Sequence, residues 1–237
     1  MATDKHWKIQ PDVDRALMLA QRQISVFVYD AVNLEGIAFT LPEIQTLLDG
    51  ITVGGHKLSD QQVAINQGNT WRFLIKEIKQ GRFSLHMAFA KSLHSIAGKE
   101  DALNWGDFRN GNVTIAGTDY TPPDWTLLPG LYADLLQQIE QIDDIYDQAI
   151  CVFLDMARQQ YFFDVNKRMG RFMMNGLLLS NGYPAINLPA RRQLEFNQLM
   201  LEFYSSGDMS PMNKFMRSCL DEATLKIMLE GQCSSPG

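Results

Sequence analysis

The chain has 237 residues, of which 46% are hydrophobic and 20% are charged, and its formal net charge is −6 at pH 7. This length is enough for one large domain or two small ones with a sizeable core, and the composition is typical of a soluble globular protein. The negative charge argues against a general nucleic-acid-binding or anionic-membrane surface. No apolar run approaches the roughly 18 residues that a membrane helix needs.

The cysteines and the N-terminal stretch predict a cytoplasmic location. Cys151, Cys219 and Cys233 are odd in number and far apart, which disfavours both a disulfide framework and a thiolate metal site. The stretch MATDKHWKIQPD is polar and lacks the apolar region of a signal peptide.

Helical periodicity dominates the first hundred residues. DVDRALMLAQRQISVFVYD repeats apolar residues at spacings of three and four. TLPEIQTLL begins with a predicted capping box of Thr40 and Glu43, and SDQQVAINQGNTWRFLIKEI repeats the pattern with Ser59 and Gln62. SLHMAFAKSLHSIAG predicts a further amphipathic helix, which Gly98 ends.

The segment NVTIAGTDYTPP, residues 112–123, departs from the helical pattern. It is rich in β-branched residues, alternates in polarity, and contains a glycine followed by a proline pair. This pattern predicts a short β-hairpin. Because an isolated two-stranded hairpin is only marginally stable, we expect it to pack on the helices.

The second half of the chain returns to helical patterns. Helices are predicted near residues 125–141, 144–160, 167–181, 190–205 and 210–230. Asn181 and Gly182 provide a helix-end signal. The sequence thus predicts a mainly α, single compact domain, a helical bundle with one short β-hairpin. Its parts are N-terminal helices in 1–50, a core in 51–230 and a tail in 231–237.

A charge-dense break, RQQYFFDVNKRMGRF, separates two of the apolar helices. The N–H groups and the dipole of a helix that begins there favour an anion. Lys167 and Arg168 add full charges, and Arg171 faces the same side as Arg168. Asp164 beside them is a natural Mg²⁺ ligand when phosphate is bound. The alternative is a solvated helix start, which such clusters more often are.

This stretch resembles the signature of the Fic (Fido) family, H-x-F-x-(D/E)-G-N-(G/K)-R-x-x-R. Six residues fall in register: Phe162, Asp164, Asn166, Lys167, Arg168 and Arg171. GDFRNGNVTIAGTDYTPPD is similar to the segment that leads into the family's flap hairpin. AVNLEGIAFTLPEIQTLL is similar to its inhibitory motif, (S/T)-x-x-x-E-(G/N), with Glu35 and Gly36 in place.

The resemblance implies a protein adenylyltransferase, because Fic proteins usually transfer AMP from ATP to a hydroxyl of a target protein. ATP and Mg²⁺ are the implied cofactors, and Asp164 would hold the metal. The implied nucleotide-binding residues are Asn166, Lys167, Arg168, Gly170 and Arg171. Glu35 and Gly36, in the 1–50 segment, would autoinhibit the Fic-like core by pairing with Arg171.

The predicted hairpin corresponds to the family's flap, which binds the target by main-chain pairing. The flap residues are Val113, Thr114, Ile115, Gly117 and Tyr120. The expected partners are a nucleotide and an unidentified target protein at the hairpin edge, with no nucleic acid and no membrane. The resemblance leaves a homo-oligomer open.

Three positions depart from the family pattern. Gln160 replaces the signature His, and an amide cannot accept the proton of a target hydroxyl, a step worth typically ~10²–10⁴-fold in rate. Val165 replaces a Gly, so it narrows the approach of the backbone to phosphate and resists unusual φ. Ala31 replaces the Ser or Thr of the inhibitory motif. We expect phosphate binding to be intact, and both proton removal and access to the α-phosphate to be impaired.

Three functions therefore stay open. The first is an adenylyltransferase of altered or impaired activity, held back by Glu35. The second is a degenerate site in a pseudoenzyme that binds nucleotides or partners, and the third is a purely structural interaction protein. As alternative bases, His86 and His94 fall on an amphipathic helix where packing is the commoner role. His56 lies in a Gly-rich loop and cannot be placed.

Overall fold

The computed structural model describes residues 9–230, which form a bundle of eleven α-helices without a strand. The helices are α1 Val13–Arg22, α2 Ile24–Leu34, α3 Leu41–Leu48, α4 Leu58–Lys79, α5 Met87–Ala97, α6 Leu128–Ile139, α7 Ile145–Gln159, α8 Asn166–Ser180, α9 Gln193–Ser206, α10 Ser210–Arg217 and α11 Glu222–Glu230. Short 3₁₀ turns lie at Trp125–Leu127 and Ala190–Arg192. The mainly helical prediction is confirmed, and the predicted tail at 231–237 lies outside the described residues.

The centre of the bundle is the antiparallel pair α7 and α8. One side of α7, including Val152 and Met156, packs into a core shared with α1, α2, α4 and α5. The other side, including Phe153 and Leu154, packs into a second core shared with α9 and α10. A helix that is apolar on all sides is a buried helix. The loop between α7 and α8 is therefore fixed from both sides.

Local capping signals set several helix ends as predicted. The Thr40 hydroxyl accepts from Glu43 N–H and the Glu43 carboxylate accepts from Thr40 N–H, so the capping box is confirmed. The second predicted box, of Ser59 and Gln62, is wrong, because α4 begins one residue before Ser59. The side chain of Gln61 instead closes the loop before α4. Its Oε1 accepts a hydrogen bond from Val53 N, and its Nε2 donates to Val53 O and His56 O.

Two long helical stretches are each divided in the structure. The first is broken at Gln23, whose side chain donates to Thr224 Oγ1. The second is broken between α10 and α11 at residues 218–221. The helices on either side of the first break share α4 as a neighbour, but α1 also packs on α8 and α11, whereas α2 also packs along α3. The N-terminal helices are thus continuous with the bundle.

The predicted β-hairpin is not formed within residues 9–230. Residues 112–115 have no regular secondary structure, a turn follows at Ala116–Gly117, and the two arms share no backbone hydrogen bonds. Exposed and half-buried residues still alternate along the first arm, as a strand requires. Two strands without a third are marginal, and here side-chain packing on α9 fixes the arms instead. No described helix combines the length and the apolar character that crossing a bilayer requires.

Candidate functional site

Residues in the left-handed backbone conformation close both ends of the loop between α7 and α8. Gln160, the C-cap of α7, has φ +54°, and Val165, the N-cap of α8, has φ +67°. This conformation costs a residue with a Cβ roughly 1–2 kcal/mol, and it is rare for β-branched residues. Both departures from the Fic signature in this loop therefore occupy its strained positions. Val165 adopts the left-handed backbone that glycine readily adopts, although we expected a valine to resist it.

The Asn166 side chain braces the loop from inside. Its Oδ1 accepts from Phe162 N at 2.9 Å, and its Nδ2 donates to Phe162 O at 2.8 Å and to Gln160 Oε1 at 3.0 Å. Gln160 Nε2 donates in turn to Ala157 O at 2.6 Å. The side-chain amides at positions 160 and 166 are thus committed to the loop and are not available to an anion.

The first turn of α8 has the features of an anion site. In the described part of the chain, the N–H groups of Asn166, Lys167 and Arg168 donate to no protein acceptor. Free N–H groups and the positive end of the helix dipole favour a phosphate at such a terminus. Val165 N is different, because it donates to Asp164 Oδ1 at 2.6 Å.

The Glu35 carboxylate bridges both arginines of α8. Its Oε2 lies 3.0 Å from Arg168 Nε, and its Oε1 lies 3.0 Å from Arg171 Nη2. Glu35 is the C-cap of α2, and Gly36, at φ +81°, turns the chain away directly after it. Burial lowers the pKa of Arg171, and Glu35 opposes that shift. The resemblance implied a contact with Arg171 alone, whereas one carboxylate holds both cations.

Asp101 is a second carboxylate on Arg168, and the sequence analysis missed it. Its Oδ2 lies 2.6 Å from Arg168 Nη2. Burial alone would lower the pKa of Arg168, but Glu35 and Asp101 together hold that pKa above its usual value. No local pattern marks Asp101, because it lies 67 residues before its partner.

A cavity of about 420 Å³ lies beside the start of α8. It is lined by the end of α2, by the loop and first turn described above, and by Gln193 and Asn197 of α9. Gln193 Nε2 donates to Asn33 O and Leu34 O, both at 3.0 Å. This contact fixes the end of α2, from which Glu35 reaches the arginines. Lys167 is exposed and completes the cationic rim.

Asp164, the predicted Mg²⁺ ligand, is exposed and lines this cavity. One carboxylate fits Mg²⁺, which is usually held by one or two carboxylates together with phosphates and water. Residues 9–230 contain no cluster of three or more His, Cys, Asp or Glu that would hold a metal unaided. Asp164 therefore suits a metal that arrives with a phosphate ligand.

Gly170 lies at the contact between α8 and α7. A Cβ there would lie 2.9 Å from Phe153 O and 3.0 Å from Phe153 Cδ2. The glycine is therefore explained by the close approach of the two helices. It is the predicted nucleotide-binding residue that packs on the neighbouring helix, while Lys167 and Arg168 line the cavity.

Arg109 is a buried cation, 2% exposed, that the sequence analysis also missed. Its guanidinium donates to Gly111 O at 2.8 Å and to Pro123 O at 2.5 Å, which ties the two ends of the 112–123 segment together. It also donates to Gln160 O at 2.5 Å, and its backbone N donates to Tyr161 O at 2.9 Å. Arg109 thus joins the flap segment to the end of α7.

None of the described histidines, His56, His86 and His94, lines the cavity, so none replaces the histidine of the Fic signature as a base there. His94 is fully buried, stacks on Phe162 at 3.8 Å between ring centroids, and has its pKa lowered to about 4 by burial. The packing role expected for it is therefore observed. His56 Nε2 lies 3.1 Å from Glu43 Oε1 and its ring stacks on Phe39. Neither histidine lines the cavity.

The predicted flap residues lie on α9 rather than in a hairpin. Ile115 and Tyr120 pack on the second core, and Tyr120 stacks on Tyr204 under the guanidinium of Arg158. Val113 is half-buried and Thr114 is exposed. At Gly117, which has φ +83°, a Cβ would lie 3.3 Å from Leu201 Cδ2.

The helical bundle has the fold of Fic proteins. The free N–H groups at the start of α8 lie at the loop between its two central helices. Residues 84–178 match the sequence model of the Fic/DOC family. The matched segment contains Arg109, Asp101 and the whole loop between α7 and α8. Glu35 lies outside it.

Known proteins agree with this assignment. Protein adenylyltransferase Fic from Drosophila willistoni is 25% identical over 212 residues, which cover 85% of this chain and 41% of that protein. A crystal structure of a Fic domain containing signaling protein from Bacteroides thetaiotaomicron has a TM-score of 0.76 at 17% identity, covering 98% of this chain and 94% of that one. A Fic family protein from Desulfovibrio desulfuricans gives 0.70 at 19% identity, covering 91% and 67%. These structures establish the fold, while the chain spans about two-fifths of the length of its curated relatives.

Proposed function

We propose that this domain binds ATP with Mg²⁺ at the start of α8 and is of the protein adenylyltransferase type. The observation that carries the proposal is the Glu35 carboxylate bridging Arg168 and Arg171 at 3.0 Å each, beside the free N–H groups of α8. A carboxylate held by the buried Arg168 and the half-buried Arg171 occupies an anion site, and a phosphate oxygen matches the same donors.

In this proposal, different residues bind different parts of the triphosphate. The α8 N–H groups and Arg168 bind phosphate oxygens, Lys167 adds charge at the rim, and Arg171 takes the terminal phosphate. Asp164 holds Mg²⁺, which neutralises phosphate charge when bound. Glu35 competes with the terminal phosphate for Arg171, so the site is autoinhibited.

Transfer requires a proton acceptor that position 160 lacks. The target hydroxyl oxygen would bond to the α-phosphorus while the bond to the β-phosphate oxygen breaks and pyrophosphate leaves. The hydroxyl proton must go to a base, and the Gln160 amide accepts none near neutral pH. Wild-type transfer is therefore slow, and nucleotide binding is the property that the site retains.

A catalytically inactive nucleotide-binding or partner-binding module is the second candidate. The observation that favours it is that both ends of the Gln160 amide are hydrogen-bonded within the loop: Oε1 accepts from Asn166 Nδ2, and Nε2 donates to Ala157 O. This amide is committed to stabilising the loop, which suits a binding role rather than catalysis.

The two arms of the 112–123 segment are the proposed target-binding surface. Their backbone groups make no cross-arm hydrogen bonds, so they are free to pair with an added strand. The partner is a protein segment in extended conformation. We place the boundary between the N-terminal helices and the core at residue 50, within a single compact domain, and propose a cytoplasmic location.

Thermal unfolding with ATP and Mg²⁺ tests nucleotide binding. A ligand that binds only the folded state raises the melting temperature, so we expect a shift in Glu35→Gly that exceeds the shift in wild type. Glu140→Gln, a surface carboxylate at the end of α6, is a control that should behave as wild type. No shift in either wild type or Glu35→Gly would exclude both nucleotide-binding functions.

A further inference from the structure

The carboxylate of Asp101 approaches Arg168 at the nitrogen that Glu35 does not use. Asp101 Oδ2 lies 2.6 Å from Nη2, whereas Glu35 Oε2 lies 3.0 Å from Nε. The third nitrogen, Nη1, is buried and has no hydrogen-bond partner within residues 9–230. Arg168 itself lines the cavity. The guanidinium is therefore anchored by two separate carboxylates and retains one unsatisfied donor.

The loop that carries Asp101 is anchored at both ends by buried side chains. Asn66 Nδ2 donates to Lys99 O at 2.7 Å, and His94 Nδ1 accepts from Gly106 N at 3.0 Å. Asn66 is 3% exposed and His94 is 0% exposed. These anchors come from α4 and α5, so the loop position does not depend on the ion pair with Arg168.

The backbone around Asp101 is strained, which also points to a determined position. Glu100, directly before it, has φ +61°. Asp101 N and Ala102 N both donate to Gly98 O, at 3.1 Å and 2.9 Å. A non-glycine residue keeps such a conformation only where its surroundings fix it. The fold therefore presents the Asp101 carboxylate to Arg168.

Glu35 and Asp101 differ in how they are held. Glu35 is the last residue of a helix end that Gln193 secures, and its carboxylate occupies both arginines. Asp101 contacts Arg168 alone and leaves Arg171 free. When a phosphate displaces Glu35, Arg168 would be a buried cation without a carboxylate unless Asp101 remained, and an unpaired buried charge is costly.

We propose that Asp101 is a positioning residue that holds Arg168 in place to receive a nucleotide phosphate. It keeps Nη2 fixed, so that Nε, which Glu35 releases, and the unsatisfied Nη1 are presented to phosphate oxygens. This inference rests on the proposed nucleotide binding. It assigns opposite effects to the two carboxylates: removing Glu35 strengthens ATP binding, and removing Asp101 weakens it.

Isothermal titration of ATP and of adenosine, both with Mg²⁺, tests the proposal in the full chain. The variants are Glu35→Gly alone and with Asp101→Asn, Asp101→Glu or Asp107→Asn added. Asp107 is the matched control, because it lies in the same loop and pairs with Lys91 at 3.2 Å instead of Arg168. Asp101→Asn should raise the ATP Kd about tenfold or more, the usual scale for a hydrogen bond between charged groups. Its adenosine Kd and both Kd values of Asp107→Asn should stay unchanged.

Asp101→Glu keeps the charge one methylene further out and should give an intermediate loss for ATP. Asp101→Glu also provides the test of the proposal if Asp101→Asn does not fold. An unchanged or tighter ATP Kd in both Asp101 variants would overturn the positioning role while nucleotide binding stood. An equal loss for ATP and adenosine would show a general structural effect and overturn it too. If Glu35→Gly alone bound no ATP, the proposed function would fail, and this inference with it.

Discussion

Gln160 Oε1 accepts a hydrogen bond from Asn166 Nδ2 at 3.0 Å, across the loop between the two central helices. The residue at the base position of the Fic signature is thus a structural cross-link between the end of α7 and the start of α8. It also has a left-handed backbone, at φ +54°. Restoring a base here must therefore replace a hydrogen bond as well as add a titratable group.

Gln160→His, combined with Glu35→Gly, is expected to produce self-labelling from α-labelled ATP. Imidazole accepts a proton near neutral pH, and such general-base help is typically worth ~10²–10⁴-fold. Glu35→Gly with Gln160→Ala is the control, since it removes the same cross-link without adding a base. Labelling is measured by autoradiography and by the mass of the intact protein. Equal labelling in both double variants would show that a missing base is not what limits transfer.

At position 165 we expect the glycine variant to be more stable than the alanine variant, which is the reverse of the order found inside helices. Both substitutions remove the buried valine methyl groups, but only glycine relieves the cost of φ +67°. After the flexibility of glycine in the unfolded chain is included, Val165→Gly should be about 0.5–1 kcal/mol more stable than Val165→Ala in urea unfolding. At Val152, inside α7, glycine should instead be less stable than alanine by about 1 kcal/mol. The same order at both sites would contradict the strain assigned to Val165.

Arg109 is expected to dominate the stability of the flap segment. Arg109→Ala leaves three carbonyls, those of Gly111, Pro123 and Gln160, without their donor. At ~1–3 kcal/mol for each buried unsatisfied group, the loss should reach about 3 kcal/mol or more. Arg109→Lys should recover only part of it, because an ammonium lacks the planar fork. The exposed Arg72, changed to Ala, is the control and should cost less than about 1 kcal/mol. Comparable losses for Arg109→Ala and Arg72→Ala would contradict the role of Arg109.

Glu43 should titrate far below an ordinary glutamate. Its pKa is lowered to about 2, mainly by the Thr40 N–H and next by the side chain of His56. A carboxyl with a depressed folded pKa contributes stability above its unfolded pKa of 4.5, and that contribution is lost as the pH falls through about 2. His56→Ala should raise the pKa only partly, because the Thr40 contacts remain. NMR titration of the Glu43 side chain measures it, and a midpoint near 4.5 in wild type would contradict the capping geometry.

Features that depend on neighbouring residues were predictable from the sequence. The Thr40–Glu43 capping box and the start of α8 next to Val165 follow from side chains within one helical turn. The alternation in the 112–123 segment was also correct, yet strand pairing did not follow from it. Pairing depends on what packs against each arm, and here α9 and Arg109 supply those contacts.

Of the long-range contacts of the site, the sequence predicted only the pairing of Glu35 with Arg171, and it did so through the family resemblance. Asp101 meets Arg168 across 67 residues and Arg109 meets the end of α7 across about 50, with no motif or spacing to indicate either pair. The break at Gln23 lacks a glycine or proline that would mark it, and beyond the shared contact with α4 the two helices have different neighbours: α8 and α11 for α1, and α3 for α2. The contact of Glu35 with Arg168, in addition to Arg171, likewise needed the fold.

We propose that the start of α8 binds nucleotide phosphates where Glu35 now lies. A crystal structure of Glu35→Gly with ATP and Mg²⁺ is the most direct test of this binding mode. We expect the triphosphate to lie against the first N–H groups of α8, with phosphate oxygens on Arg168 and Arg171 and with Asp164 on the metal. Nucleotide bound elsewhere, or no nucleotide at concentrations that saturate binding in solution, would contradict it.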